Sequence, residues 1–127
     1  MADATDPTTL QTRDIVRRYH DGWSTGRFAQ SVALLADDLR VEVPINEYAT
    51  REAFAAALTG FGAMVEGVEL LSELGSGNEA VLIYDMRVQR VGAMRVAEHF
   101  TVEDGRIVRI RQIHDTAAVR AAGLGPS

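Results

Sequence analysis

The chain has 127 residues, enough for one domain that buries roughly two-thirds of the surface its unfolded form exposes. Its hydrophobic and charged fractions, 46% and 24%, are those of an ordinary globular protein, and a net charge of −5 speaks against a nucleic-acid partner. No apolar run approaches the roughly 20 residues that span a bilayer. The start MADATDPTT lacks the basic and apolar regions of a signal peptide, and the absence of cysteine removes disulfides, thiol nucleophiles and thiolate metal sites. No membrane partner and a reducing cytoplasm are therefore expected. The reading is one domain over residues 1–127 with its core at about 8–115, and the tails Met1–Thr5 and Gly123–Ser127 are expected to fray.

Asp6-Pro7 starts a helix, with Asp as N-cap and Pro at the first helical position. Ile15, Val16, Tyr19 and Trp23 recur along it at helical spacing, which turns one face to the core, and Ser24-Thr25-Gly26 ends it. A second helix is predicted from about Arg27 to Ala36, burying Phe28, Val32 and Leu35, with Asp37-Asp38 as its stop. Leu39–Val43 alternates as a short strand closed by Pro44. A loop from Ile45 to Ala49 carries Glu47 and Tyr48, read as an ordinary solvated stretch bordering whatever lies beneath. Thr50 then caps a third helix with Phe54, Leu58 and Phe61 on one face.

After Gly62 the pattern changes to strands: Val68–Leu74, a turn at Gly75–Asn78, then Ala80–Gln89. The last part, AMRVAEHFTVEDGRIVRIRQIHD from Ala93 to Asp115, is a hairpin about Asp104-Gly105, a dipeptide that accepts positive φ. Its first arm puts Met94, Val96, Glu98, Phe100 and Val102 on one face, and its second puts Ile110, Gln112 and His114 together. Glu98, Gln112 and His114 thus point into an apolar concavity, where polar groups are costly unless paired or used. Thr116 is a candidate cap for a short helix through Ala122.

Three helices, an early strand and an antiparallel meander define an α+β fold with helices on one face of the sheet. Arg87, Arg95, His99, Arg109 and Arg111 fall on the other face, polar and mixed in sign. The three histidines show no metal-ligand spacing, His20 and His99 fall off the inner faces, and neither a GxGxxG nor a P-loop is present. No metal, nucleotide or other cofactor is expected.

The runs RRYHDGWSTGRF and VALLADDLRVEVP, the long meander and the hairpin EHF…DGRIVRI resemble the nuclear-transport-factor-2-like superfamily, nearest its ketosteroid isomerase and SnoaL-like polyketide cyclase branches. The resemblance runs from about Ile15 to Asp115 and implies a cone-shaped, cystatin-like α+β barrel, in which a curved antiparallel sheet wraps the N-terminal helices around an apolar pocket. It also implies a homodimer through the outer sheet face. In the isomerases a tyrosine and a protonated carboxylic acid form the oxyanion hole beside a separate carboxylate base. Tyr19 matches the tyrosine and Glu98 the acid, with Glu in place of Asp; the base position before the strand-closing proline is Val43, which cannot take a proton.

His114 stands where the isomerases carry an apolar side chain, near the acid–base residue of the cyclase branch, and imidazole suits proton transfer near neutrality. Strand alternation sends Asp115 to the opposite face, so a local His–Asp dyad is not expected. Expected catalytic residues are therefore Tyr19, Glu98 and His114. The expected pocket lining is Trp23 from the first helix, Val43 from the first strand, and Phe54 and Phe61 from the third helix. From the meander it takes Tyr84, Met86, Met94, Val96, Ile110 and Gln112, the methionines suiting an irregular apolar ligand.

Each polar residue also has a plainer reading. Glu98 is either an acid of raised pKa that donates to a developing enolate, or a structural carboxylate paired with His114 or Tyr19. His114 is a base or a satisfied pocket histidine; Tyr19 and Tyr84 are ligand donors or packed rings with a polar tip. The function implied is a cofactor-independent acid–base isomerase, cyclase or lyase acting on a small apolar or polycyclic carbonyl compound; the alternative is a non-catalytic ligand-binding or accessory protein. An epoxide hydrolase of the same superfamily relies on an Asp–Arg–Asp set, but Asp85, Arg95 and Arg111 face outward here.

Overall fold

The computed structural model describes residues 6–44 and 46–123. Ile45, most of the expected tails (1–5 and 124–127) and the start of the predicted Ile45–Ala49 loop lie outside the described residues. Its elements are helices α1 (Pro7–Ser24), α2 (Phe28–Val32), α3 (Arg51–Gly62) and α4 (Ala117–Ala121) and strands β1 (Leu35–Glu42), β2 (Glu47–Tyr48), β3 (Val65–Ser76), β4 (Glu79–Val88), β5 (Gly92–Glu103) and β6 (Arg106–Ile113). Among the described residues no helix is long and apolar enough to cross a membrane.

The strands form one sheet in the order β2-β1-β6-β5-β4-β3, antiparallel except where β1 lies parallel to β6. β3 to β6 are the expected meander, and their hairpin turns carry the expected chemistry: Asp104 and Gly105 both have positive φ, 52° and 77°. Register is fixed across the meander, with Leu82, Glu98 and Gln112 in one row and Ile83, Ala97 and Ile113 in the next. Because side chains alternate, one row faces the helices and the other faces away. β3 carries two register shifts, which bend it and let the sheet curl around the helices.

Several boundaries differ from expectation for identifiable reasons. α2 stops at Val32 rather than Ala36, and β1 begins at Leu35 rather than Leu39. Helical spacing around Leu35 loses to pairing with β6: Ile107 N donates to Leu34 O at 2.9 Å, Leu35 pairs with Ile107, and both side chains are fully buried. A register shift between Leu35 and Arg40 then accommodates Asp37-Asp38, which the sequence suggested as a stop. The short loop strand β2 exists because Tyr48 pairs with Val41. β3 runs to Ser76, so its turn is only Gly77-Asn78, and β6 ends at Ile113. At α4 the Thr116 side chain makes no cap bond; Asp115 Oδ1 accepts from Ala117 N at 2.9 Å instead.

α1 is anchored at both ends. Asp6 caps it as expected, Oδ1 accepting from Thr9 N at 3.0 Å. The Thr9 hydroxyl in turn accepts from Gly77 N at 2.9 Å, tying the helix start to the β3–β4 turn. At the other end α2 folds back on α1, and the buried Ser31 hydroxyl donates to Tyr19 O at 2.6 Å. That approach needs Gly22, where a Cβ would collide with Ser31 Oγ. Gly22→Ala therefore lowers unfolding free energy by about 1–3 kcal/mol despite alanine's better helix propensity. Urea denaturation measures it; an unchanged or raised midpoint would show that the α1–α2 contact is not tight.

Candidate active site

Between α1, α3 and the inner faces of β4, β5 and β6 lies a cavity of about 410 Å³. α1 contributes Tyr19 and Trp23, one turn apart on its buried face. α3 contributes Phe54, Leu58 and Phe61, the stripe its sequence spacing defines, and Val43 closes the end of β1. Tyr84 and Met86 reach in from β4, Met94 and Glu98 from β5, Gln112 from β6 and His114 from just beyond it.

Glu98 is 1% exposed. Gln112, directly opposite in the β5–β6 ladder, donates from Nε2 to Oε2 at 2.7 Å. Tyr84, two residues on from Glu98's partner in β4, donates from its hydroxyl to Oε1 at 3.2 Å. Burial raises the Glu98 pKa to about 7; the Gln112 and Tyr84 bonds hold it below what burial alone would give. Near neutral pH both the acid and the carboxylate of Glu98 are thus populated. Each oxygen accepts one protein hydrogen bond, which leaves capacity to donate or accept toward the cavity. The pairing suggested for Glu98 with His114 or Tyr19 is therefore replaced by one with Tyr84 and Gln112.

Tyr19 is fully buried, edge-on to Phe100 at 5.6 Å. Its pKa lies well above the ordinary phenol value, chiefly through burial and then through the Glu98 charge, so it stays a proton donor. Tyr84 is raised in the same way. His114 places Nδ1 3.0 Å from the Asp115 carbonyl. A carbonyl only accepts, so Nδ1 is the donor in that bond, and in the neutral ring the lone pair lies on Nε2.

Two expected lining residues do not reach the cavity. Val96 and Ile110 are 0% exposed core residues, paired across the ladder with Tyr84 and Phe100, whose rings occupy the space beside them. His20 is a second correction. It is 3% exposed, not off the inner face, and lies against Trp23 at 5.3 Å and Tyr84 at 5.0 Å. The signal was present, since Val16, Tyr19, His20 and Trp23 follow i, i+3, i+4, i+7 spacing. Burial lowers its pKa to about 4, and its Nδ1 has no partner among the described residues. Tyr48, read as part of a solvated loop, instead packs on Phe54 at 5.7 Å and lines the cavity with Asn46. Val119 of α4 lines it as well; nothing in that alanine-rich stretch except its single larger apolar side chain marked it.

On the outer face Arg95 forms a two-pronged pair with Asp85 at 2.7 and 2.9 Å, and Arg111 lies 3.8 Å from Glu42. Neither side of that set enters the cavity among the described residues.

A curved sheet closed by helices over one buried carboxyl defines a nuclear-transport-factor-2-like cone with an internal site. The SnoaL-like domain model matches residues 16–110. The chain belongs to the SnoaL-like domain family. It is similar to a Kribbella flavida protein at 30% identity, covering 87% of this chain and 91% of that one, with a TM-score of 0.81. A candidate ketosteroid isomerase from the same organism aligns at 21% identity over 85% of this chain and 80% of that one, TM-score 0.76. An LEH-like epoxide hydrolase from M. tuberculosis aligns at 20% identity over 91% of both chains, TM-score 0.75. The latter two likenesses show the fold. Comparison with curated proteins finds no match.

The two buried titrating groups act on stability with opposite signs. Folding raises Glu98 from 4.5 to about 7, so its contribution is full below 4.5 and is lost as pH rises through 7. Folding lowers His20 from 6.5 to about 4, so its contribution is full above 6.5 and is lost as pH falls toward 4. Each is worth on the order of 3 kcal/mol across its window, and they oppose each other where the windows overlap. In urea titrations Glu98→Gln therefore loses stability relative to the parent as pH falls from neutral to about 4.5, whereas His20→Phe gains relative to the parent over the same range. Parallel profiles for all three proteins would contradict the assigned shifts.

Proposed function

We propose that the chain is a cofactor-independent acid–base enzyme that moves a proton on a small apolar or polycyclic carbonyl compound. The observation that carries this reading is Glu98: a fully buried carboxyl with a pKa of about 7, turned toward a cavity otherwise walled by apolar and aromatic side chains. Protonated, it donates a hydrogen bond to the substrate carbonyl and stabilises the oxyanion as it develops. Tyr19 and Tyr84 are held as neutral phenols beside it, and Gln112 fixes its orientation. His114 Nε2, with its lone pair free, takes the proton from the carbon next to the carbonyl and returns it elsewhere on the ligand, completing an isomerisation. Apolar walls exclude water and strengthen both interactions. The chain has no lysine, so none of its side-chain amines is available for imine formation with the carbonyl.

The test uses a cyclic β,γ-unsaturated ketone and follows the conjugated enone by its absorbance. His114→Ala should lower turnover by about 10²–10⁴-fold, the usual contribution of a general base, while changing ligand affinity only a few-fold. Turnover should also fall as pH rises through about 7, and Glu98→Gln, an amide that keeps a donor and cannot ionise, should lose that alkaline limb. Undiminished turnover in His114→Ala would remove the base from this scheme.

We also propose that two copies pair through the outer sheet face. Ile113 is 73% exposed there and continues the cross-strand row of Ile83 and Ala97, with Leu74, 65% exposed, two rows away on the same face. Sedimentation should give twice the chain mass for the parent and the single-chain mass for Ile113→Arg; a parent that sediments as a monomer at tens of micromolar refutes the pairing.

A further inference from the structure

The cavity combines three features that together select ligands by charge. Among the described residues its only acidic side chain is Glu98, and no arginine lines it. The carboxyl is cut off from bulk water and holds just two protein hydrogen bonds, from Tyr84 and Gln112. The cavity walls carry aromatic rings, with Trp23 packed on Tyr84 at 5.6 Å and Tyr48 on Phe54 at 5.7 Å. A ring face attracts cations, most strongly when both are desolvated, and a buried carboxylate without a cation is costly.

We propose that the cavity also takes hydrophobic ammonium compounds, with Glu98 as their counter-ion and the aromatic rings as walls, and that it rejects hydrophobic carboxylates of the same size. An ammonium ligand replaces the missing positive charge and completes a buried ion pair. A carboxylate ligand meets a second carboxyl and no guanidinium, so one of the two must carry a proton. When Glu98 is protonated, binding an ammonium ion releases that proton to solvent: Glu98–COOH and R–NH₃⁺ become the ion pair plus H⁺. A neutral ketone needs the opposite state, because only the acid form donates to its oxygen. The same side chain therefore gives opposite pH profiles to two ligand classes, amines binding more tightly as pH rises through about 7 and ketones more tightly as it falls.

The groups that face Glu98 from the surrounding elements do not blur that assignment. Tyr19 on α1 and Tyr84 on β4 stay protonated, raised by burial and by Glu98 itself. Gln112 on β6 does not titrate. His20, behind Tyr84, stays neutral above about 4. His114 also lines the cavity, and a preference that it set would survive Glu98→Gln. The proposal needs Glu98 to face the bound molecule but requires no turnover, so it and the proton-transfer reading fail independently.

Three cages of one shape make the test: adamantylamine, adamantanone and adamantane carboxylate. Binding is followed by calorimetry and by the emission of Trp23, the only tryptophan, which lines the cavity. At pH 8 the amine should bind at least about tenfold more tightly than the carboxylate. Glu98→Gln should erase that preference, while Glu103→Gln, an exposed site with the same charge change, should keep it. At pH 7 the parent should release protons on binding the amine, read from the dependence of the heat on buffer ionisation. The release needs no variant and so stands even if Glu98→Gln fails to fold. Equal affinities for amine and carboxylate, a preference that survives Glu98→Gln, or amine binding with no proton release would overturn the proposal.

Discussion

The structure turns on a carboxyl group placed where water does not reach it. A lone charge in such a site costs several kcal/mol after relaxation, and a protein normally avoids the cost by pairing the group or keeping it neutral. Glu98 does neither fully. Its partners, Tyr84 and Gln112, are neutral donors, strong enough to make the carboxylate accessible and too weak to fix it. The outcome is a group whose two forms are close in free energy near neutral pH. A second donor of the guanidinium type beside it would lock the charged form, and replacing either neutral donor with an aliphatic residue would lock the acid.

Holding that balance depends on parts of the fold far from the carboxyl. Gln112 reaches Glu98 because the Asp104-Gly105 turn, together with a one-residue register shift between Thr101 and Val102, sets the pairing of β5 and β6, and Tyr84 because the next ladder is continuous from Glu79 to Val88. A slip of one residue in either would turn the donors outward. The burial itself comes from α1, which is pinned to the β3–β4 turn through Thr9 and to α2 through Ser31. The first of these contacts crosses between elements distant in sequence, and together they hold Tyr19 and Trp23 over the sheet.

Much of this was legible in the sequence, and the boundary of what was legible has a physical pattern. Period-two alternation located Glu98, Gln112 and His114 on one face, and the Asp-Gly dipeptide located the turn, because both signals are local. Leu35 was misplaced because its partner is Ile107, some seventy residues on, and local helical spacing carries no trace of that pairing. Val96 and Ile110 share the inner face with true lining residues; only the three-dimensional placement of Tyr84 and Phe100 separates core from cavity. Tyr48 and Asn46 sit in an irregular stretch with no period to read, yet the pairing of Tyr48 with Val41 turns that stretch over the opening. His20 was readable by spacing, yet the sequence reading puts it off the inner face; a neutral imidazole among aromatic rings behaves as one of them.

The position before Pro44 shows how chemistry can move within one fold. With Val43 there, the wall facing the ligand is apolar where the isomerase pattern has a base. In the proposed scheme the base therefore stands at the β6 end, where His114 lines the cavity. The partner of His114 Nδ1 is the Asp115 carbonyl, backbone rather than a carboxylate. A carboxylate partner would stabilise the imidazolium and raise its basicity; a carbonyl orients the ring with far less effect on its charge. In the proposed scheme His114 is thus oriented by backbone alone, opposite an acid balanced near neutrality. That pairing suits a substrate whose proton is already acidified by a hydrogen-bonded carbonyl, and it is poorly suited to one that needs a strong base.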